Sequence, residues 1–223
     1  MGGRGANSGI PVSNPGGGGG GGGRGNKGPM DMMPGQPKTL EEALGNKGRP
    51  MSTRDAILKA NPFYDTARTT DEYNMNCQRA VIATEARFRG YDVIAQPTYD
   101  GDKAPLGDSW ANNFVGAKVE DVGRTTANAA RKALEEKMRG YGNGARAIMS
   151  VGWKGSRDGH VINVVQRGNN TYYYDGQNGS IVSPKALFNA IKTKATTIAR
   201  VDNLDFSDTA KEAVRKTPRN RRR

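Results

Sequence analysis

The chain reads as an α+β domain, with helices leading and an antiparallel sheet following. Two observations carry that reading. Apolar residues recur at three- and four-residue steps between positions 77 and 89, and again between 126 and 140. From position 145 onward the pattern turns to short apolar or alternating runs broken by turn residues, interrupted by one helical stretch after Ser183-Pro184.

The elements follow in order. Thr39 caps a short helix through Leu44, and Ser52 or Thr53 caps another that Asn61-Pro62 ends. The strongest helix spans 77–89: Cys77, Ala80, Val81, Thr84 and Phe88 form its apolar stripe, while Arg79, Glu85, Arg87 and Arg89 fall largely off it. Asn74 or Asn76 supplies its N-cap and Gly90 its stop. A short strand runs from Tyr91 to Ala95, and residues 98–122 are mixed, with Gly101, Pro105, Gly107 and Gly116 marking loops. A helix capped by Thr125 or Thr126 carries Ala130, Leu134 and Met138 on one face. Strands are expected at Ala145–Val151, His160–Gln166 and Thr171–Asp175, the last two joined as a hairpin by Gly168-Asn169-Asn170. Ser183-Pro184 opens a helix with Pro at its first position, and Ala195–Val201 is a final strand.

Composition predicts three regions. Residues 1–60 hold the glycine tract Gly16–Gly23, several prolines and few large apolar side chains, the signature of a disordered Gly/Pro-rich arm with short helices at most. Residues 61–208 are long enough for one ordinary domain, and residues 209–223 read as a basic disordered tail. The formal charge of +12 is uneven: +4 in residues 1–60, +6 in 211–223 and only +2 in 61–210. A nucleic-acid reader places its charge on the folded domain, so contact with nucleic acid or an anionic surface is expected of the ends alone, nonspecific and salt-sensitive. One cysteine excludes an internal disulfide framework and a Cys/His zinc cage within the chain, and no cofactor motif is present. No apolar run approaches the ~20 residues that span a bilayer. No apolar h-region opens the chain, so the expectation is synthesis in the cytoplasm without a classical signal peptide, with export or virion packaging by another route.

The chain's one cysteine and one histidine allow a single Cys/His pair. A thiol is a useful nucleophile only as thiolate, and the unpaired N–H groups of a helix start favour the anion. Cys77 falls in the first turn of its helix. Taken alone it is also a small apolar member of the stripe, His160 a strand-end histidine, and Asp175 a turn residue in Asp175-Gly176-Gln177-Asn178-Gly179. Hairpin geometry joins the last two: strand lengths around Gly168–Asn170 bring His160 close to Asp175 or Gln177 across the pair, where an acceptor fixes the imidazole. The backbone N–H of Cys77, with an amide from Asn74, Asn76 or Gln78, offers an oxyanion hole.

Several ordered motifs also carry a resemblance: Asn76-Cys77 at a helix start, Arg87-Phe88-Arg89-Gly90-Tyr91-Asp92-Val93, Ala95-Gln96-Pro97, Gly144-Ala145-Arg146, Gly159-His160-Val161 and Asp175-Gly176-Gln177-Asn178-Gly179. Over about residues 70–200 the chain resembles the papain-fold toxin domains of bacterial polymorphic toxins, described as cysteine-dependent glutamine deamidases or peptidases. The resemblance implies a papain-like fold, with a helix bearing the cysteine packed on an antiparallel sheet bearing the histidine and acid. It implies Cys77 as nucleophile, His160 as base, Asp175 as orienting acid and Gln177 as a neighbouring site residue, with no cofactor. No Gln precedes Cys77 in the folded part, so Asn74 or Asn76 takes the place that papain-like enzymes often give to an oxyanion-hole glutamine. A protein substrate and an immunity protein are the implied partners. Deamidation, peptide hydrolysis and transglutamination share the thioester route and stay open, with substrate choice expected in loops 98–122 and 151–159. The alternative is a non-catalytic phage or mobile-element accessory protein that reuses the fold.

Overall fold

A computed structural model of the protein describes residues 35–64, 73–98 and 108–218. The glycine tract, residues 99–107 of the expected substrate loop and the final arginines lie outside the described residues. The helices are α1 (Leu40–Leu44), α2 (Thr53–Leu58), α3 (Cys77–Phe88), α4 (Ala127–Tyr141) and α5 (Pro184–Ala190). The strands are β1 (Val93–Ala95), β2 (Glu120–Asp121), β3 (Arg146–Trp153), β4 (Gly159–Arg167), β5 (Asn170–Asp175), β6 (Ser180–Ile181), β7 (Ile191–Arg200) and β8 (Val214–Lys216). Two 3₁₀ helices, Ser109–Asn113 and Asp208–Glu212, also lie among the described residues.

Local chemistry explains the helix starts. Thr39, Ser52, Thr126 and Ser183 each accept a hydrogen bond from the backbone N–H three residues on, which satisfies one orphan donor per helix. Gly90 ends α3 with φ +102, and a Cβ there would lie 2.4 Å from the Gly48 carbonyl oxygen, so only glycine permits this approach.

Six strands form an antiparallel sheet in the order β2-β7-β3-β4-β5-β6. One face buries Ile148, Val161 and Ala199 against Ala80, Val81, Ile82, Ala83 and Ala86 of α3. The other buries Met149, Ile162, Val164 and Ile198 against Leu134 and Met138 of α4 and Leu187 and Phe188 of α5. The central β4 is therefore buried from Val161 to Gln166 on both faces, which accounts for its continuous apolar run. A second sheet pairs β1 with β8.

Two expectations need correction. Residues 35–60 are not a disordered arm. Ala43, Leu44, Ala56, Ile57 and Ala60 are buried, and the Ala95 N–H donates to the Ala60 carbonyl at 2.7 Å. Each short helix buries one adjacent apolar pair, a pattern with no period to read. Nor is all of 209–223 a tail: Ala210, Ala213, Val214 and Arg215 are buried, and β8 pairs with β1. Basic composition hid a strand that is stabilised by pairing rather than by its own apolar content. Glu85 and Arg87, off the apolar stripe of α3, are buried as well, at 0% and 2% exposed. With α2, β1 and β8 packed around it, α3 is buried on nearly all sides, so its charges need partners. Glu85 takes a two-pronged contact from Arg146, at 2.8 and 2.9 Å, and another from Arg89 at 2.7 Å. Arg87 donates to Asp92 and to the Val93 carbonyl.

Candidate active site

Cys77 is the first residue of α3, a half-buried free thiol. Asn76 is the N-cap by position, but its side chain makes no capping bond. Instead it is 2% exposed and donates to the Gln96 carbonyl at 3.0 Å and to Asn61 Oδ1 at 3.4 Å. The first-turn N–H groups of α3 are thus not satisfied by the cap side chain.

His160 is the second residue of β4 and Asp175 the last of β5. The register pairs Asn163 with Tyr174 and runs back to Arg167 with Asn170. Extending it by one step sets Asp175 opposite Ile162, so His160 and Asp175 are diagonal neighbours across the ladder. Their side chains meet, with Nε2 to Oδ2 at 2.8 Å. The other Asp175 oxygen, Oδ1, accepts from the Gln177 N–H at 2.9 Å, so both oxygens are committed. Trp153, at the end of β3, stacks on the imidazole with ring centroids 5.8 Å apart and planes 25° apart. The Cys77 thiol is the imidazole's other polar neighbour. Burial pulls the His160 pKa down, but the Asp175 charge and hydrogen bond, with the Cys77 contact, outweigh it and hold the value well above the ordinary 6.5.

One residue that the sequence reading took only as a helix stop links the two loops of this site. Asn61, 5% exposed, donates one amide proton to the Tyr73 carbonyl at 2.8 Å and the other to the Gln177 carbonyl at 2.8 Å. The Tyr73 segment leads into Cys77 and the Gln177 segment follows Asp175. Gln177 ties the same two loops a second time, donating from Nε2 to the Asn74 carbonyl at 3.0 Å. Gln96 extends the network to the C-terminal segment, donating to the Lys211 and Val214 carbonyls. Gly176 seats the Asp175 loop on α3: a Cβ there would lie 2.0 Å from Thr84 Oγ1 and 3.1 Å from the Ala80 carbonyl oxygen. A helix-ending Asn carries no local signal for such a role, because its partners are 12 and 116 residues away.

The sequence-derived site residues therefore gather at one place. Cys77 and Asp175 are both polar neighbours of the His160 imidazole, Gln177 braces the acid, the Asn74 carbonyl anchors Gln177, and the Asn76 amide is engaged within the buried network. Gln78 accepts from Ser109. Among the described residues no group of three or more His, Cys, Asp and Glu is placed to hold a metal ion, and no helix is long and apolar enough to cross a membrane.

A thiol, an imidazole and a carboxylate brought together on a mixed helix-and-antiparallel-sheet fold define a small class of proteins. Residues 75–180 match the family model described as papain fold toxin 1, glutamine deamidase. The match takes in Cys77, His160, Asp175 and Gln177, and stops short of β7, β8 and, on the other side, Asn61. No curated protein and no solved structure matches the chain.

Proposed function

We propose that the protein is a cysteine amidohydrolase that converts a glutamine side chain of another protein to glutamate, acting as a toxin or effector. The observation that carries this reading is the imidazole of His160, held by Asp175 at 2.8 Å through Nε2 with the Cys77 thiol as its other polar neighbour. Asp175 fixes the ring's orientation and favours the imidazolium that the reaction forms.

With the proton held on His160 as imidazolium, the Cys77 sulfur attacks as thiolate, forming a C–S bond to the amide carbon as the carbonyl oxygen gains the negative charge. The backbone N–H of Cys77 at the start of α3 is the donor best placed to stabilise that oxygen. The intermediate collapses by breaking the C–N bond, and ammonia leaves with the proton from His160. Water then gives a proton to His160 and forms a C–O bond to the thioester carbon. The C–S bond breaks, the thiolate is released beside the imidazolium, and the product is a carboxylic acid. The family description favours glutamine over a peptide bond, since both enter the same thioester. An immunity protein that covers the Cys77 side of the molecule fits this reading.

The test is ammonia release together with a mass gain of about one dalton on glutamine-containing protein targets. Cys77→Ala should abolish both while leaving the thermal unfolding profile intact. A Cys77→Ala protein that retains activity ends the proposal.

A further inference from the structure

The β3–β4 hairpin, residues 154–158, rises directly from the two stacked residues of the site, Trp153 and His160. It is hydrogen-bonded to two other segments that carry exposed cations, the Arg124 segment through β7 and the start of β7 itself. Lys154 bonds through its backbone N–H to the Ala190 carbonyl, and Lys192 reaches from β7 to the Ser156 carbonyl at 2.6 Å. The Lys192 side chain also crosses Gly152, whose strand partner Gly159 is the neighbour of His160; a Cβ at Gly152 would meet Lys192 Cδ at 3.4 Å. Arg124 joins through its N–H to the Thr193 carbonyl, and Lys194 lies one residue further.

Arg124, Lys154, Arg157, Lys192 and Lys194 are all exposed, and none is in ion-pair range of a carboxylate among the described residues. The cations of α4 differ: Arg131 and Lys132 each pair with a glutamate one turn on. The carboxylates carried by these segments, Asp121 and Asp158, each accept a hydrogen bond within their own turn, from the Gly123 N–H and from Ser156 Oγ. The surface is thus net positive, held by backbone pairing, and ends at the imidazole.

We infer that this surface binds an acidic segment of the protein substrate, placing carboxylates beside the glutamine presented to Cys77. The inference rests on the amidohydrolase reading. An acidic peptide fits better than nucleic acid because the surface offers no stacking platform: its one aromatic side chain, Trp153, is 7% exposed and committed to His160. Unpaired cations at a binding rim act through complementary charge and faster encounter, so the effect is sensitive to salt.

Fluorescence anisotropy on the full chain carrying Cys77→Ala tests this with three labelled probes: a short glutamine peptide flanked by glutamates, the same peptide flanked by serines, and a short single-stranded RNA. The glutamate-flanked peptide should bind about tenfold more tightly than the serine-flanked one at low salt and lose that advantage at about 0.5 M salt. The triple variant K154E/R157E/K192E should remove the preference without changing the unfolding temperature. Equal binding of the two peptides, or a preference that survives the triple variant, overturns the inference; so does RNA binding that exceeds peptide binding and disappears in the triple variant. Ammonia release by the wild-type chain is scored separately. Its absence alongside a charge preference sinks the amidohydrolase reading and leaves the surface standing, and the reverse outcome does the opposite.

Discussion

Asn61 donates to the carbonyl of Gln177 at 2.8 Å, which holds the loop after Asp175 against the segment that leads into Cys77. Replacing Asn61 with Ala leaves one buried and one partly buried carbonyl without their donors. A loss of roughly 2–4 kcal/mol in unfolding free energy is expected from denaturant titration. Asn61→Asp retains the shape but loses both N–H groups, so it should be at least as damaging. Because the clamp positions the site, iodoacetamide alkylation of Cys77 in the still-folded variants should change in rate, a readout that a purely structural residue would leave alone.

His160 is the only histidine, so its ring signals in nuclear magnetic resonance are unambiguous. They should show the imidazolium persisting well above pH 6.5, since the Asp175 contacts outweigh burial. Asp175→Asn should bring the titration down. The native state then binds the extra proton between the unfolded and folded pKa values, so the contribution of the pair to stability is complete below about pH 6.5 and is lost as pH rises through the folded value. Denaturation midpoints measured across that window should fall with pH in the wild type, and Asp175→Asn should flatten the slope.

Gly176→Ala drives a methyl group into Thr84 Oγ1 and the Ala80 carbonyl. The expected cost is about 1–3 kcal/mol, with the Asp175 loop displaced from α3. Thr84→Ala in the same chain removes the closer of the two atoms and should recover part of that loss. A double-mutant cycle gives the coupling, and strict additivity would contradict the proposed seating.

Deleting residues 209–223 removes β8 and the carbonyls of Lys211 and Val214 that Gln96 binds. The unfolding temperature should drop by about 10 °C or more. A chain ending at Pro218 keeps every one of these contacts and should melt with the full-length protein.

Much of the positioning of this site is written locally. The stripe of Ala80, Val81, Thr84 and Phe88 gives α3, and the turn at Gly168–Asn170 sets the β4–β5 register that carries His160 to Asp175. Hydroxyl caps at Thr39, Ser52, Thr126 and Ser183 are read from single residues and their neighbours. What the sequence did not reveal is held by distant partners. Glu85 looks like a solvent-facing residue until Arg146, 61 residues later, arrives to pair with it. Val214, Arg215 and Lys216 have no apolar alternation of their own and become a strand only because β1 offers an edge. Asn61 obeys a rule about prolines and helix ends while its side chain serves another part of the molecule.

The pairing of β1 with β8 has a consequence for timing. Val214 and Lys211 hold Gln96, Gln96 holds Asn76, and Asn76 precedes the nucleophile. In chain order β8 follows Cys77, His160 and Asp175, so the hydrogen-bond network beneath the start of α3 closes only once Lys211 and Val214 have been made.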